Sequence, residues 1–475
     1  MQTHGGHNIN ILSEYNEDIK KILLQNRNIH PDILRTFFDP KISDLHDPYL
    51  MPDMELAVNR ILEARTKKER IVIFGDYDVD GVSSTAILVK FLTEIWCLVS
   101  YRLPHRVHDG YGLKEYFFDE LKEKWVTLVI TVDCGTRDIW PIKHAKSLGI
   151  DVIVTDHHAV PDIIPTEVIA IVNPKRKDSL YPFHGLAGAG VAFKLLHWIL
   201  IALEKEKYIS INWFKTVNSA GLGERNCLSQ IENSTEIAKE TSFSLPNSFG
   251  TFSTKSTEEI VSEKYITETL TRYIDFASLG TVADCMPIID ENRIITTLGL
   301  RQMQQSESIG LRNFLEWREQ IEGNADIIGF QIGPRINAAG RMDTPLTALR
   351  WLLAGEGRTD EFFGELEHLN ETRKWTTETH FQKALENIDT SKPVLFYDAS
   401  DLEHGIIGLV AGRLTEMYNK PTIVIKNGHD HPLTSRKWDT VSVTENQDTQ
   451  IVDNKNLSIA SCRSPEWCNL IELLD

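Results

Sequence analysis

The sequence predicts an α/β protein: a doubly wound, mostly parallel sheet joined by a long helix to a smaller α/β unit. Five short runs rich in β-branched residues, 71–74, 99–103, 128–132, 152–155 and 169–172, alternate with helical patterns such as 82–93. A charged stretch without proline, Thr359 to Asn387, keeps helical spacing long enough to join two halves across a cleft. A second small alternation of strand and helix patterns begins near Pro393.

Taken in order, residues 14–26 form a helical segment that leads through Pro31 and Pro40 to a second amphipathic pattern at 54–61. The expected divisions are an N-terminal helical extension over 1–65, the main sheet domain over 66–355, a connecting helix over 356–390 and the smaller unit over 391–475. Within the main domain, about 205–262 is polar, rich in Ser, Thr and Asn, and without periodicity, which reads as an insertion with no assigned chemistry. Gly185-Leu186-Ala187-Gly188-Ala189-Gly190 opens a helix with small residues, so that backbone amides or a neighbouring strand can approach closely; helix packing and ligand binding both remain open there.

At 475 residues and 41% hydrophobic composition the chain can build two or three ordinary cores. No apolar run approaches the roughly 20 residues needed to span a bilayer, and Met1 to Gly6 lacks a signal-peptide layout, so a cytoplasmic protein is expected. The six cysteines, Cys97, Cys134, Cys227, Cys285, Cys462 and Cys468, have no paired zinc-type spacing and are expected as free thiols. A net charge of -18 argues against a simple nucleic-acid binder. The objection weakens where acidic residues gather at a cation site and arginines line a groove beside it.

Acidic residues do gather. Asp76-Tyr77-Asp78-Val79-Asp80-Gly81 directly follows the first apolar run and precedes a helical pattern, and three carboxylates in one turn require cations or donors to offset their repulsion. One such turn cannot enclose two ions, and three further clusters supply companions. Ile130-Thr131-Val132-Asp133-Cys134-Gly135 ends an apolar run with an aspartate, and Val154-Thr155-Asp156-His157-His158 does so with two imidazoles added. Ser278-Leu279-Gly280-Thr281-Val282-Ala283-Asp284 is the fourth. Acid and imidazole at the carboxyl ends of successive strands is where open α/β sheets build active sites; each cluster alone would also pass for a surface turn or a helix cap.

Together these motifs resemble the DHH phosphoesterase superfamily and, within it, the RecJ family of single-strand-specific exonucleases. The resemblance begins at Leu23-Leu24-Gln25-Asn26-Arg27 and runs through Leu45-His46-Asp47-Pro48 and the four acidic motifs to Gly333-Pro334-Arg335-Ile336-Asn337-Ala338-Ala339-Gly340-Arg341. His404-Gly405-Ile406-Ile407-Gly408 is similar to the opening of the DHHA1 domain that accompanies the DHH domain in this superfamily. The resemblance implies hydrolysis of phosphodiester bonds in single-stranded DNA from the 5′ end, in DNA repair and recombination. It also implies a monomer working beside a single-strand-binding protein and a helicase, away from membranes.

For the site, the same resemblance implies two divalent ions, Mn2+ preferred and Mg2+ possible, held by Asp78, Asp80, Asp133, His157 and Asp284 and supplying an activated water. Asp76 is expected to support that shell, and His158 is the catalytic candidate, donating to a non-bridging phosphate oxygen. Arg335, Arg341, His404, Ser461 and Arg463 are the expected substrate contacts; salt bridges for the arginines, a cap for His404 and a surface turn for Ser461 and Arg463 are their plainer readings. Phe74 stands where manganese pyrophosphatases of the superfamily carry a metal-binding histidine, which favours the exonuclease branch. A phosphoadenosine phosphatase or oligoribonuclease of the same superfamily, and a non-catalytic scaffold like Cdc45, are the alternatives.

Two departures qualify the resemblance. The sequence stops at Asp475, shortly after Ser461-Cys462-Arg463-Ser464, with no Gly-Gly-His motif and no OB-fold domain, so the DHHA1 domain is expected to be incomplete and the grip on single strands weakened. Trp96, Trp125 and Trp467 occupy helix-to-strand or turn positions where glycine suits left-handed geometry. Either they are ordinary surface aromatics, or their codons specify glycine in the source organism.

Overall fold

The computed structural model describes residues 19–27, 29–106, 108–205, 263–318, 324–399, 401–426, 459–465 and 467–468. The expected insertion, apart from Lys205, lies outside these residues, as does Cys227. The helices before the first strand, β1 (Arg70–Gly75), include α1 (Ile19–Asn26) and α2 (Met54–Lys67), with a short helical turn at Leu34–Phe38 between them. Then follow α3 (Val79–Glu94), β2 (Leu98–Arg102), α4 (Glu115–Glu123), β3 (Val126–Val132), α5 (Ile139–Ser147), β4 (Asp151–Thr155) and β5 (Ala170–Val172). All five expected strands are present, joined in parallel in the order β2-β1-β3-β4-β5.

That order places the topological switch between β1 and β3, where the crossovers leave in opposite directions and a crevice opens at the carboxyl ends of the strands. The alternation along β1 shows how both faces are covered. Ile71 and Ile73 join Val82, Ala86 and Val89 of α3 in one apolar layer, while Val72 and Phe74 join Phe117 and Phe118 of α4 in the other. Phe74, 5.3 Å from the Phe117 ring centroid, is therefore committed to packing.

Four long helices complete the first layer: α6 (Gly188–Lys205), α7 (Glu263–Ala283), α8 (Asp290–Gln302) and α9 (Ile309–Trp317). Within it Lys194 and Glu291 form a fully buried ion pair at 2.8 Å. Lys194 also donates to the His46 carbonyl, and the His46 amide donates to Glu291 at 3.1 Å, so the segment Leu45-His46-Asp47-Pro48 is tied to the core. Removing one member of such a pair leaves a buried charge uncompensated.

Beyond α10 (Gly333–Met342) and α11 (Leu346–Leu353), the expected connecting helix is α12, Thr359–Asn387. It leads to β6 (Leu395–Asp398), α13 (Ile407–Tyr418), β7 (Thr422–Lys426) and β8 (Ile459–Arg463), a mixed sheet with β6 and β7 parallel and β7 and β8 antiparallel. Among the described residues no helix is long and apolar enough to cross a membrane.

Candidate metal centre

The crevice between β1 and β3 is filled with carboxylates. Asp78 caps α3, its Oδ1 accepting from the Asp80 and Gly81 amides at 2.9 and 3.1 Å, which turns the chain so that Asp76 and Asp80 point inward. Asp80 is buried, and the α6 N-terminus clamps it: the Gly188 amide donates to Oδ2 at 2.6 Å and the Ala189 amide to Oδ1 at 2.7 Å. The small residues that open α6 thus bring backbone amides to a carboxylate. Gly280 completes the clamp, since a Cβ there would lie 2.2 Å from Asp80 Oδ1.

Asp133 follows β3 in a left-handed conformation, φ +60°, which is uncommon outside glycine. Its amide donates to the Thr155 carbonyl at 3.0 Å and its carbonyl accepts from the Tyr111 hydroxyl at 3.2 Å, so neighbours on two sides hold the strained residue. Gly188 leaves it room; a Cβ there would lie 2.7 Å from Asp133 Cβ. His157 Nε2 lies 3.1 Å from Asp133 Oδ1 and 3.6 Å from both Asp80 Oδ2 and Asp284 Oδ2.

Asp284 reaches this point from the end of a helix, unlike the other three acidic motifs, which follow strands. The run 278–283 is the last turn and a half of α7, buried against α3 and α6. After it Cys285 turns left-handed, φ +54°, with its amide on the Val282 carbonyl and the Met286 amide on that of Thr281.

Asp156 organises the histidines. Its Oδ1 accepts from the His157 and His158 amides at 2.7 and 3.1 Å and lies 2.8 Å from His158 Nδ1, while Oδ2 accepts from the Thr136 amide at 3.1 Å. Burial works against its charge, yet the hydrogen bond and charge of His158 and the Thr136 contact hold the carboxyl well below the ordinary range. His158 is raised by its hydrogen bond to Asp156, whereas burial and the neighbouring His158 push His157 down to about 4.

The other acids move upward. Burial, with the charges of Asp78 and Asp284, pushes Asp80 up to about 8, and burial with Asp78 pushes Asp284 up to about 6. Asp76 and Asp133 are raised by burial first and neighbouring carboxylates second. Asp76 Oδ1 and Asp133 Oδ1 are buried and receive no hydrogen bond among the described residues. Acceptors buried in this way fit a cation, which would make their charge tolerable.

Three ligand groups fit one ion each, with donor atoms within 4.8 Å of one another: Asp80, His157 and Asp284; Asp76, Asp78 and Asp133; and Asp133, His157 and His158. Asp76, expected to support the shell, lies in one of these groups with Asp78 and Asp133. Oxygen and imidazole donors without thiolate suit Mn2+ and Mg2+.

The expected substrate residues fall in different places. Arg341 donates to the Gly405 carbonyl at 3.0 Å, and burial together with Arg106 and Arg373 lowers it to about 10. Gly340, beside it, touches the acidic turn, for a Cβ there would lie 2.6 Å from the Tyr77 carbonyl. His404 is lowered by burial and by Arg106, which stacks 4.6 Å over the Tyr77 ring. Ser461 and Arg463, on β8, flank Gly408 at the start of α13. Arg335 is the exception: it is buried, ion-paired with Glu367 of α12 and donating to the Gln331 carbonyl at 2.7 Å, so as placed it joins α10 to α12.

Arg106 and Tyr111 escaped the motif reading because both lie in the polar segment after β2, which has no periodicity. The available signal was position, a basic Pro104-His105-Arg106 directly behind a strand end, and a tyrosine between Gly110 and Gly112, which adopt φ +71° and +77°. Tyr111→Phe is expected to lower Mn2+ affinity about tenfold, as removal of a partner behind a ligand does, with little change in melting temperature. Isothermal titration with Mn2+ checks this, and unchanged affinity would remove Tyr111 from the support of Asp133.

Fold and site agree with one family in particular: residues 70–220 match the family model described as DHH family, N-terminal domain. That stretch, which holds the sheet and three of the four acidic motifs, carries the match. It is similar to the single-stranded-DNA-specific exonuclease RecJ of Bacillus subtilis, 32% identical over 82% of this chain and 42% of that protein, and to RecJ of Escherichia coli, 31% identical over 80% and 59%. The chain thus spans about half the length of these relatives. Among solved structures it is similar to exonuclease RecJ bound to manganese, with a TM-score of 0.60, 28% identity, and 79% of this chain and 80% of that one covered. RecJ from Thermus thermophilus in complex with Mn2+ also gives 0.60, at 27% identity over 83% and 48%.

Proposed function

We propose that this chain is a metal-dependent exonuclease that hydrolyses single-stranded DNA from the 5′ end and serves DNA repair and recombination. The observation that carries the reading is the meeting of His157 Nε2 with Asp133, Asp80 and Asp284 at 3.1 to 3.6 Å, beside the Asp76 and Asp78 pair. Asp133 belongs to ligand groups on both sides and is the candidate bridging residue. Two divalent ions in this cradle would activate a water and neutralise charge on the scissile phosphate.

The chain's own groups do the rest. His158, with Nδ1 engaged by the ionised Asp156, can present Nε2–H to a non-bridging phosphate oxygen as charge develops there. Arg106 and Arg341 form no ion pair with a carboxylate among the described residues, and together they make a cationic wall beside Tyr77 and Asp78, with His404 next to Arg106. Such a wall suits the terminal phosphate of a strand whose first linkage lies over the carboxylates. The single-stranded-DNA substrate is the one named for the relatives; polarity and partners such as a single-strand-binding protein or a helicase rest on the family resemblance of the motifs, and a cytoplasmic setting fits that substrate.

The test is digestion of 5′-labelled and 3′-labelled single strands with Mn2+. Release of labelled mononucleotide from the 5′-labelled strand first supports the reading, and no release by a chain with confirmed Mn2+ binding would sink it. Arg106→Ala is expected to cost on the order of tenfold or more on 5′-phosphorylated strands and much less on 5′-hydroxyl strands, since one charged hydrogen-bond partner is lost. Equal losses on the two substrates would take Arg106 away from the 5′ end.

A further inference from the structure

Four crossovers lead from a helix into a strand of the main sheet, and each turns through one residue in the left-handed region. After α2 the residue is Lys68 (φ +54°), after α3 Trp96 (+65°), after α4 Trp125 (+58°), and after α5 Gly149 (+73°). The hydrogen bonds after α3 and α5 correspond bond for bond. The Trp96 amide meets the Thr93 carbonyl at 3.0 Å and the Cys97 amide that of Leu92 at 2.9 Å; the Gly149 amide meets the Lys146 carbonyl at 3.0 Å and the Ile150 amide that of Ala145 at 3.0 Å. This is the glycine-type helix terminator, whose C′ residue must be left-handed. After α4 the Trp125 amide likewise meets the Lys122 carbonyl at 3.0 Å.

Tryptophan is among the least suitable residues for that position, since a bulky side chain meets the following carbonyl that glycine avoids. Packing gives no compensation. Trp96 and Trp125 are 67% and 79% exposed, and among the described residues neither indole meets another ring, a cation or a hydrogen-bond partner. Exposure alone does not mark them, since Trp140 and Trp375 are 66% and 70% exposed, but those two lie in regular helix, while Trp351 is buried against Phe314 and Phe363 and Trp198 packs on Tyr49 at 5.0 Å.

We propose that residues 96 and 125 are glycine in the organism that makes this protein, their codons being UGA, which one variant genetic code reads as tryptophan and another as glycine. Local geometry at the two crossovers carries the inference, independently of the proposed nuclease activity. Trp467 does not join it, for it lacks a positive φ and its indole donates to Asn419 Oδ1 at 3.1 Å.

Three readouts test it. The gene should carry UGA at 96 and 125 but UGG at 198 and 351, whose rings are packed; UGG at 96 and 125 overturns the proposal. Peptides of the protein purified from its source should have the mass of glycine at both positions, and tryptophan there overturns it equally. In recombinant protein the Trp96→Gly/Trp125→Gly double variant should melt about 2–4 °C higher than the chain as written, with the far-UV spectrum unchanged. A lower melting temperature would show that the indoles are the fitting residues.

Discussion

Asp133→Ala is expected to slow release of nucleotides from single-stranded DNA by on the order of 10³-fold or more, the largest effect of any single substitution in this chain. The residue takes part in ligand groups on both sides of the crevice, so its loss disturbs two cation positions at once. Metal ions contribute several kcal/mol of charge stabilisation in such reactions, and about 4 kcal/mol corresponds to a factor of 10³. Alanine also removes a side chain from a left-handed residue, which mixes conformation with charge. Asp133→Asn separates them, because asparagine tolerates this backbone conformation while carrying no charge. Both variants should lose activity together, and Asn should keep the melting temperature of the parent without metal. Activity within tenfold of the parent in either variant would remove Asp133 from the chemistry.

The carboxylates were legible because their logic is local: an apolar run ends, an acid follows, and the sheet order brings the ends of β1, β3 and β4 together. Asp284 was legible as a residue, while the element that carries it was not. The run before it mixes small, hydroxyl and β-branched residues and is buried or half-buried along its length in α7, so no exposed polar face reveals a helical period. The clamp on Asp80 was half legible. Small residues at 185–190 signalled close approach, but whether they met a ligand or another part of the chain depended on α6 docking against Gly280, a contact about ninety residues away in sequence. Arg335 shows the converse: its motif suggests DNA, while Glu367 on a distant helix takes its guanidinium. Tertiary partners of that kind leave no trace in spacing. The tryptophans at 96 and 125 were conspicuous in sequence because the helix-stop pattern called for glycine, and their positive φ gives the conflict a physical form.

Divalent-ion removal should abolish activity, and the stabilisation conferred by Mn2+ should grow with pH. Without cations, burial and mutual repulsion push Asp80 up to about 8 and Asp284 up to about 6, against 3.8 for the free side chain. A carboxyl whose folded value is raised binds more protons folded than unfolded. Its contribution is therefore most favourable to the folded chain below pH 3.8 and is lost as pH rises through 6 and then 8 for these two groups. Cations reverse the balance by binding the deprotonated carboxylates of the folded chain, so protons compete at low pH and the repulsion that cations relieve is greatest at high pH. At about a thousandfold excess over the dissociation constant, Mn2+ adds about 4 kcal/mol to the folded state. Melting curves with Mn2+ and with EDTA at pH 5.5 and pH 8 should thus differ by several degrees more at pH 8. Asp80→Asn should flatten the difference between the two pH values, since it removes the group whose titration spans that range. An equal or larger Mn2+ increment at pH 5.5 would mean that the ion binds elsewhere than among these buried acids.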